Sequence, residues 1–313
     1  YNAWISFDDL TLANRLSFYL LIFILGLFIL ENLSRKKAQY HLPSKGGFKS
    51  RTIISLKGYN SFIAFFVCLL VFFISFLFPV FQMLYWTIIF PKHLTDLNIV
   101  RLIFNTLLLV ILSSCVLIVF SFISNYGNRV SKSKLLEMLT TFSVSGYAIP
   151  GVILAVAFIT FIAWFDDNIV AFFGSKTIKS FFIGSVMGLV LVYFVRFYSL
   201  ACNGIKSGYL KINYSIDESS YLLGYSKFKT FTNIHIPYLK NSIFLIGILI
   251  AIEIIKELPI TLIMRPFNFE TFATTAYVFA SQDLLEAAAA PSLFLIIIAS
   301  IFILVTSRYI LKE

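Results

Sequence analysis

Seven apolar stretches, at 16–33, 62–86, 102–123, 144–165, 181–200, 243–263 and 288–310, run through the sequence and leave few folds open to it. The first is short and the second long, but all lie near the ~20 residues that a helix needs to cross a hydrocarbon core. Hydrophobic residues make up 59% of the 313 and charged residues 13%, too apolar a balance for a water-soluble domain of that length. Backbone in lipid must satisfy its own hydrogen bonds, which an open strand cannot do, so the stretches are expected as helices. The reading is an all-α polytopic membrane protein with about seven transmembrane helices.

Lysine and arginine orient these helices. Seventeen fall after the first, third and fifth stretches or at the C-terminus, among them Arg35, Arg129, Lys206, Lys211, Lys227 and Arg308. The other side holds six: Arg15, Lys92, Arg101, Lys176, Lys179 and Arg265. The positive-inside rule then puts the C-terminus and the 217–239 segment of this multi-pass chain in the cytoplasm. The net charge of +10 calls for no nucleic acid, because basic loops beside an anionic lipid surface explain it.

Segment 217–239, DESSYLLGYSKFKTFTNIHIPYL, is the hydrophilic interruption with the most internal order. Residues from Glu218 to Leu223 are expected to form a short helix, its acidic first turn suited to the positive end of the helix dipole. Gly224 then permits a backbone turn that other residues resist, so a second short helix can leave at an angle. Pro237 is expected in the first turn of the next apolar helix, where proline is tolerated. The spacing of Glu218, Ser219, Ser220, Gly224, Ile234 and Pro237 resembles the cytoplasmic coupling loop of ABC-transporter permeases, E-A-A-x3-G-x9-I-x-L-P. It departs from that pattern at Ser219 and Ser220, which stay small, and at Ile236, which stays aliphatic.

A second resemblance is narrower. Lys256-Glu257-Leu258-Pro259, then Thr261-Leu262 and Arg265-Pro266-Phe267-Asn268-Phe269, resemble the corresponding stretch of ferric-iron permeases, as does Gly146-Tyr147-Ala148-Ile149-Pro150-Gly151. Those permeases resemble this chain from residue 1 to 313 and are fused duplications of two six-helix halves. The resemblance implies that 59–313 is one binding-protein-dependent permease half. It also implies two copies of a cytoplasmic ABC ATPase, which bind ATP and Mg, and a periplasmic substrate-binding protein delivering ferric iron. Importers of thiamine, polyamines or sulfate share the coupling loop and remain alternatives. The opening run from Tyr1 is also a weak copy of the run from Tyr277, with a two-residue gap. Read as an internal repeat, this makes 1–33 the tail of a missing N-terminal permease half and 34–58 a basic cytoplasmic linker.

Charges inside apolar stretches are costly and usually functional. Glu253 and Lys256 stand i,i+3 and are expected to pair, with Glu257 on the same side and Pro259 favouring a kink just beyond. Gly146, Pro150 and Gly151 interrupt the start of another span. Both groups are candidates for a translocation path or gate; an ion pair locking helix register, and ordinary transmembrane glycine and proline, are the alternatives. Arg265, Phe267 and Asn268 are candidates for contact with a binding protein, against a plain solvated loop.

No G-x4-G-K-[ST] phosphate cradle occurs, so no ATPase motor and no cofactor are assigned to the chain itself. Cys68, Cys115 and Cys202 lack CxxC spacing, and His41, His93 and His235 lie far apart, so no metal site is expected. No nucleophile–base arrangement points to a catalytic residue. Besides an ATP-driven permease, an ion-coupled secondary transporter and a membrane scaffold remain as classes.

Overall fold

Proline, glycine and isolated polar residues divide the apolar runs into the elements of a computed structural model. It describes residues 56–131, 133–173 and 182–310, with scattered positions between 11 and 30. Of the expected span at 16–33, ten scattered positions are described, all of them helical, and of the linker at 34–58 only 56–58 are described. Among those described, no strand occurs and six helices are long and apolar enough to cross a membrane, so the chain is a polytopic all-α membrane protein.

The six long helices are α1 (Tyr59–Ile89), α3 (Ile99–Ser131), α5 (Gly151–Phe173), α6 (Val186–Tyr209), α8 (Lys227–Ile255) and α11 (Leu285–Ile310). Shorter helices join them: α2 (Pro91–Thr95), α4 (Lys134–Ser143), α7 (Tyr214–Leu222), α9 (Pro259–Met264) and α10 (Phe272–Ser281). Helix α6 is the centre of the bundle, packed between α3 and α8, and more than half of its most apolar window is buried. Its Leu189, Tyr193 and Phe197 meet Leu117 of α3, Ile250 of α8 and Ile260 of α9 in one core. Helix α1 leans mainly on α11 and buries none of its own window, presenting phenylalanine and leucine outward. That outward face suits lipid contact.

Apolar burial does not hold helices together in lipid; close approach does. Gly204 and Gly208 of α6 supply it, since a Cβ at Gly204 would stand 2.7 Å from Ile246 Cγ1 and one at Gly208 3.0 Å from Leu239 Cδ2. Backbone of α6 therefore lies directly against side chains of α8.

The boundaries differ from the hydropathy reading in three places. The expected span at 144–165 begins as a 3-10 turn, Val144–Ala148, followed by non-helical Ile149 and Pro150 before α5 starts at Gly151. Ile149 is extended (ψ 127), as a residue before proline prefers. The expected span at 181–200 begins late, at Ser185, whose hydroxyl caps α6 by accepting from Gly188 N. The expected span at 243–263 is two helices rather than one kinked helix. α8 ends at Ile255, and α9 restarts at Pro259, because the Pro259 ring would clash with the Ile255 carbonyl and has no N–H to give.

Pro237 also sits elsewhere than expected. Instead of opening a helix it lies well inside α8, two residues past a π turn at Phe231–His235. Pro79 bears the same relation to the π turn Phe73–Leu77 in α1. In each case the carbonyl four residues before the proline lies within the π turn, whose wider register moves it off the ring.

Candidate functional site

Chemistry-bearing residues gather at one end of the bundle, at a break in its middle and at the opposite end. The first end holds Arg129, Lys206, Lys211, Lys227 and Lys229 around helix α7. Asn213 caps α7, its side-chain oxygen accepting from Ser215 N. Asp217, one residue before the predicted Glu218, turns inward and is 7% exposed. Arg129 Nε and Nη2 donate to Asp217 Oδ2 at 2.8 and 2.5 Å. Its Nη2 also donates to the Ile212 and Asn213 carbonyls at 3.0 and 3.1 Å. The guanidinium stacks 4.2 Å from the Tyr214 ring. The other carboxylate oxygen lies 2.8 Å from Nε2 of His235, which is fully buried. One carboxylate thus ties α7 to both α3 and α8.

Ser220 faces inward too, its hydroxyl 2.5 Å from that of Thr230, and its small size lets α7 lie against α8. Gly224 has φ +82 and ends α7: its N–H donates to the Tyr221 carbonyl and Tyr225 N–H to that of Ser220, each at 3.0 Å. This 6→1, 5→2 pair is a Schellman closure, which needs a left-handed residue. Ser226 then caps the next helix by accepting from Lys229 N, and Tyr126 of α3 donates to the Lys227 carbonyl. The result is a helix–glycine–helix corner held from behind. Glu218 and Ser219 point out from it, and Leu222, Leu223 and Phe228 are 89%, 78% and 73% exposed. Ile234 is half-buried and Pro237 exposed.

The break between α8 and α9 meets the break before α5. A Cβ on Gly151 would lie 2.7 Å from Glu257 Oε1, and Pro259 and Ile260 stand just behind. Glu257 Oε1 accepts from Ile260 N, and its carbonyl accepts from the Thr261 hydroxyl at 2.7 Å. Thr261 in turn bonds the buried Tyr193 hydroxyl of α6. Arg196 of α6 donates to the Tyr147 and Ile149 carbonyls that the first break leaves free, and its guanidinium lies 5.4 Å from the Tyr147 ring. Gly146 is pressed against the Val195 carbonyl. Five of the predicted path residues, Gly146, Pro150, Gly151, Glu257 and Pro259, therefore come together at the crossing of two interrupted helices. Glu253 and Lys256 do pair, at 2.7 Å, yet Lys256 is mostly exposed and leaves the cluster. It borders an apolar groove of about 430 Å³ with Met83, Trp86 and Leu258, because the helix ends before it can turn inward.

At the opposite end the segment from Arg265 to Glu270 is pinned rather than loose. Arg265 pairs with Glu270, Arg101 of α3 donates to the Asn268 carbonyl at 2.7 Å, and Asn105 donates to that of Glu270 at 2.9 Å. Asn268 holds a left-handed conformation (φ 64), and Phe267 is fully exposed at the tip.

Sequence reasoning missed Arg129, Asp217, His235, Arg196 and Tyr193. Arg196 had a readable signal, a single cation inside the stretch at 181–200. The Arg129–Asp217 pair, 88 residues apart, had none. Among the described residues no group of three or more His, Cys, Asp or Glu is placed to hold a metal ion.

No protein-family model matches the chain, and no curated protein sequence matches it. Solved structures do. A chain of a bacterial alginate ABC transporter, crystallised with an alginate pentasaccharide-bound periplasmic protein, superposes with a TM-score of 0.62 at 16% identity, covering 79% of this chain and 93% of that one. A chain of a bacterial ABC transporter that imports the acidic polysaccharide alginate gives a TM-score of 0.61 at 18% identity, covering 79% and 94%. The likeness shows that the described helices share the fold of a membrane component of an ABC importer.

Proposed function

We propose that the chain is the membrane-spanning permease of an ATP-driven ABC importer, and within it one six-helix half following the remnant of another. The observation that carries this reading is the helix–glycine–helix corner at Gly224. Its apolar tips are bare, its back is fastened to α3 and α8 through Asp217, and its spacing is that of a coupling loop. The fold shared with alginate ABC transporters supports the same reading. Of two ATPase subunits, with their ATP and Mg, one would dock on Glu218, Ser219, Leu222 and Leu223 at the cytoplasmic end and the other on the missing half, and Arg129 and His235 would pass the movement to α3 and α8. Coupling requires contacts that differ between two states. The crossing at Gly151 and Glu257, where two helices are interrupted, is the part of the bundle suited to gating, since broken backbone is tolerated where it is buried or lines a cavity. Phe267, on its pinned loop, would meet a substrate-loaded periplasmic binding protein.

For the cargo we propose ferric iron, on the strength of the Lys256–Pro259 and Arg265–Phe269 stretches. Thiamine, a polyamine, sulfate or an acidic saccharide like that of the solved neighbours are the competing cargoes. Neighbouring reading frames encoding a tyrosine-rich binding protein would favour iron. The functional test is Glu218→Lys and Gly224→Pro in the intact permease. Both should leave the membrane level of the protein unchanged and lower ATP-dependent uptake at least about tenfold, the loss of ~1.4 kcal/mol of coupling. Full uptake in both variants would overturn the role of the corner.

A further inference from the structure

Behind the corner lies a polar cavity of about 840 Å³ between α3, α4, α6 and the turn into α7. It lies apart from the residues proposed to meet an ATPase or to gate a path. Arg129, Lys206 and Lys211 line it against a single carboxylate, Glu137. Neither Lys206 nor Lys211 makes an ion pair among the described residues. Tyr209, 7% exposed, lines the same cavity, and its buried hydroxyl has no hydrogen-bond partner; the buried Oδ1 of Asn128, also on the wall, has none either. An unpartnered buried hydroxyl costs about 1–3 kcal/mol unless something supplies the missing bond. Cations in excess beside one unpartnered hydroxyl donor call for an anion rich in oxygen, and the Asn128 oxygen, which can only accept, would take a hydrogen bond from a protonated oxygen of that anion.

We propose that this cavity binds a phosphate-type anion, with Lys206 and Lys211 supplying charge and the Tyr209 hydroxyl donating to a phosphate oxygen. Two sources carry that chemistry. One is the headgroup of an anionic phospholipid in the leaflet at the basic end of the bundle, where basic pockets between helices attract such lipids. The other is a soluble phosphate compound. Because Arg129 both lines the cavity and holds Asp217, an anion there would sit directly behind the corner and firm its attachment.

The permease containing this chain, purified in neutral detergent, separates these by thermal unfolding and by native mass spectrometry. The probes are phosphatidylglycerol, phosphatidylcholine and inorganic phosphate. A lipid site predicts a raised unfolding midpoint and retained adducts with phosphatidylglycerol alone. A soluble-anion site predicts protection by inorganic phosphate as well. In either case Tyr209→Phe should weaken the effect about fivefold, the worth of one hydrogen bond. Lys206→Gln with Lys211→Gln should abolish it, while Lys227→Gln with Lys229→Gln, outside the cavity, should not. Tyr209→Phe removes an atom without a partner, so the fold is expected to survive it. No response to any probe, or a response that the cavity variants leave intact, would overturn the proposal.

Discussion

Arg129 fastens one buried carboxylate, caps two main-chain carbonyls and stacks on Tyr214, all with a single guanidinium. Removing it strands Asp217 in a site where that carboxylate is almost without water. Arg129→Gln is therefore expected to destabilise the chain by about 3 kcal/mol, since breaking a buried pair leaves an uncompensated charge. Asp217→Asn, which keeps an oxygen for His235, should cost less, and detergent thermal unfolding of the two variants checks the order. At the second site Gly151→Ala places a methyl where Glu257 Oε1 now lies, at 2.7 Å. It should cost about 1 kcal/mol, the low end for overpacking, because the Glu257 carboxylate is the free end of a flexible side chain, and the loss should shrink when Glu257→Ala is added, a coupling that a double-mutant cycle measures. Residues of this kind differ in how readable they were. Gly224 declares itself by spacing within one short segment, because a left-handed turn is local chemistry; Glu218, expected in the first turn of its helix, lies instead in the middle of α7, which starts at Tyr214. Asp217 was invisible beside them, since its partners Arg129 and His235 come from two other helices and only the folded bundle brings them near.

Spans, unlike helix ends, are set by hydropathy, and the six described ones were readable for that reason. Interruptions at Pro150 and Pro259 were marked by the residues themselves, but as a broken span start and a kink; that each ends one element and starts another, at 149–150 and 256–258, depends on how the proline acts on its neighbours' backbone. Both π turns were likewise unread: they answer Pro79 and Pro237 by a change of register that leaves no mark in composition. Packing of α6 on α8 makes a prediction at this scale. Gly204→Leu should separate the two helices, because even a Cβ there meets Ile246 at 2.7 Å, and Gly204→Ala should be intermediate. Loss of folded protein from membranes in the order Leu, Ala, Gly is the expected readout. Equal levels in all three would mean that the contact carries no stability.

Seen whole, the bundle has two unlike ends and a weakened middle. Its basic end presents a helix–glycine–helix corner with bare leucines, the other a pinned loop with a bare phenylalanine, and between them two interrupted helices cross at Gly151 and Glu257. A scaffold has no need of interrupted helices, and an ion-coupled transporter has no need of the corner. We propose that movement at the corner, driven by ATP hydrolysis in a partner subunit, opens and closes the middle. Reconstitution into liposomes of this chain with the proposed second permease half, ATPase and binding protein measures that most directly. Uptake is predicted to require hydrolysable ATP and to continue when proton and sodium gradients are collapsed. Uptake that proceeds without ATP and stops when those gradients are collapsed would contradict it.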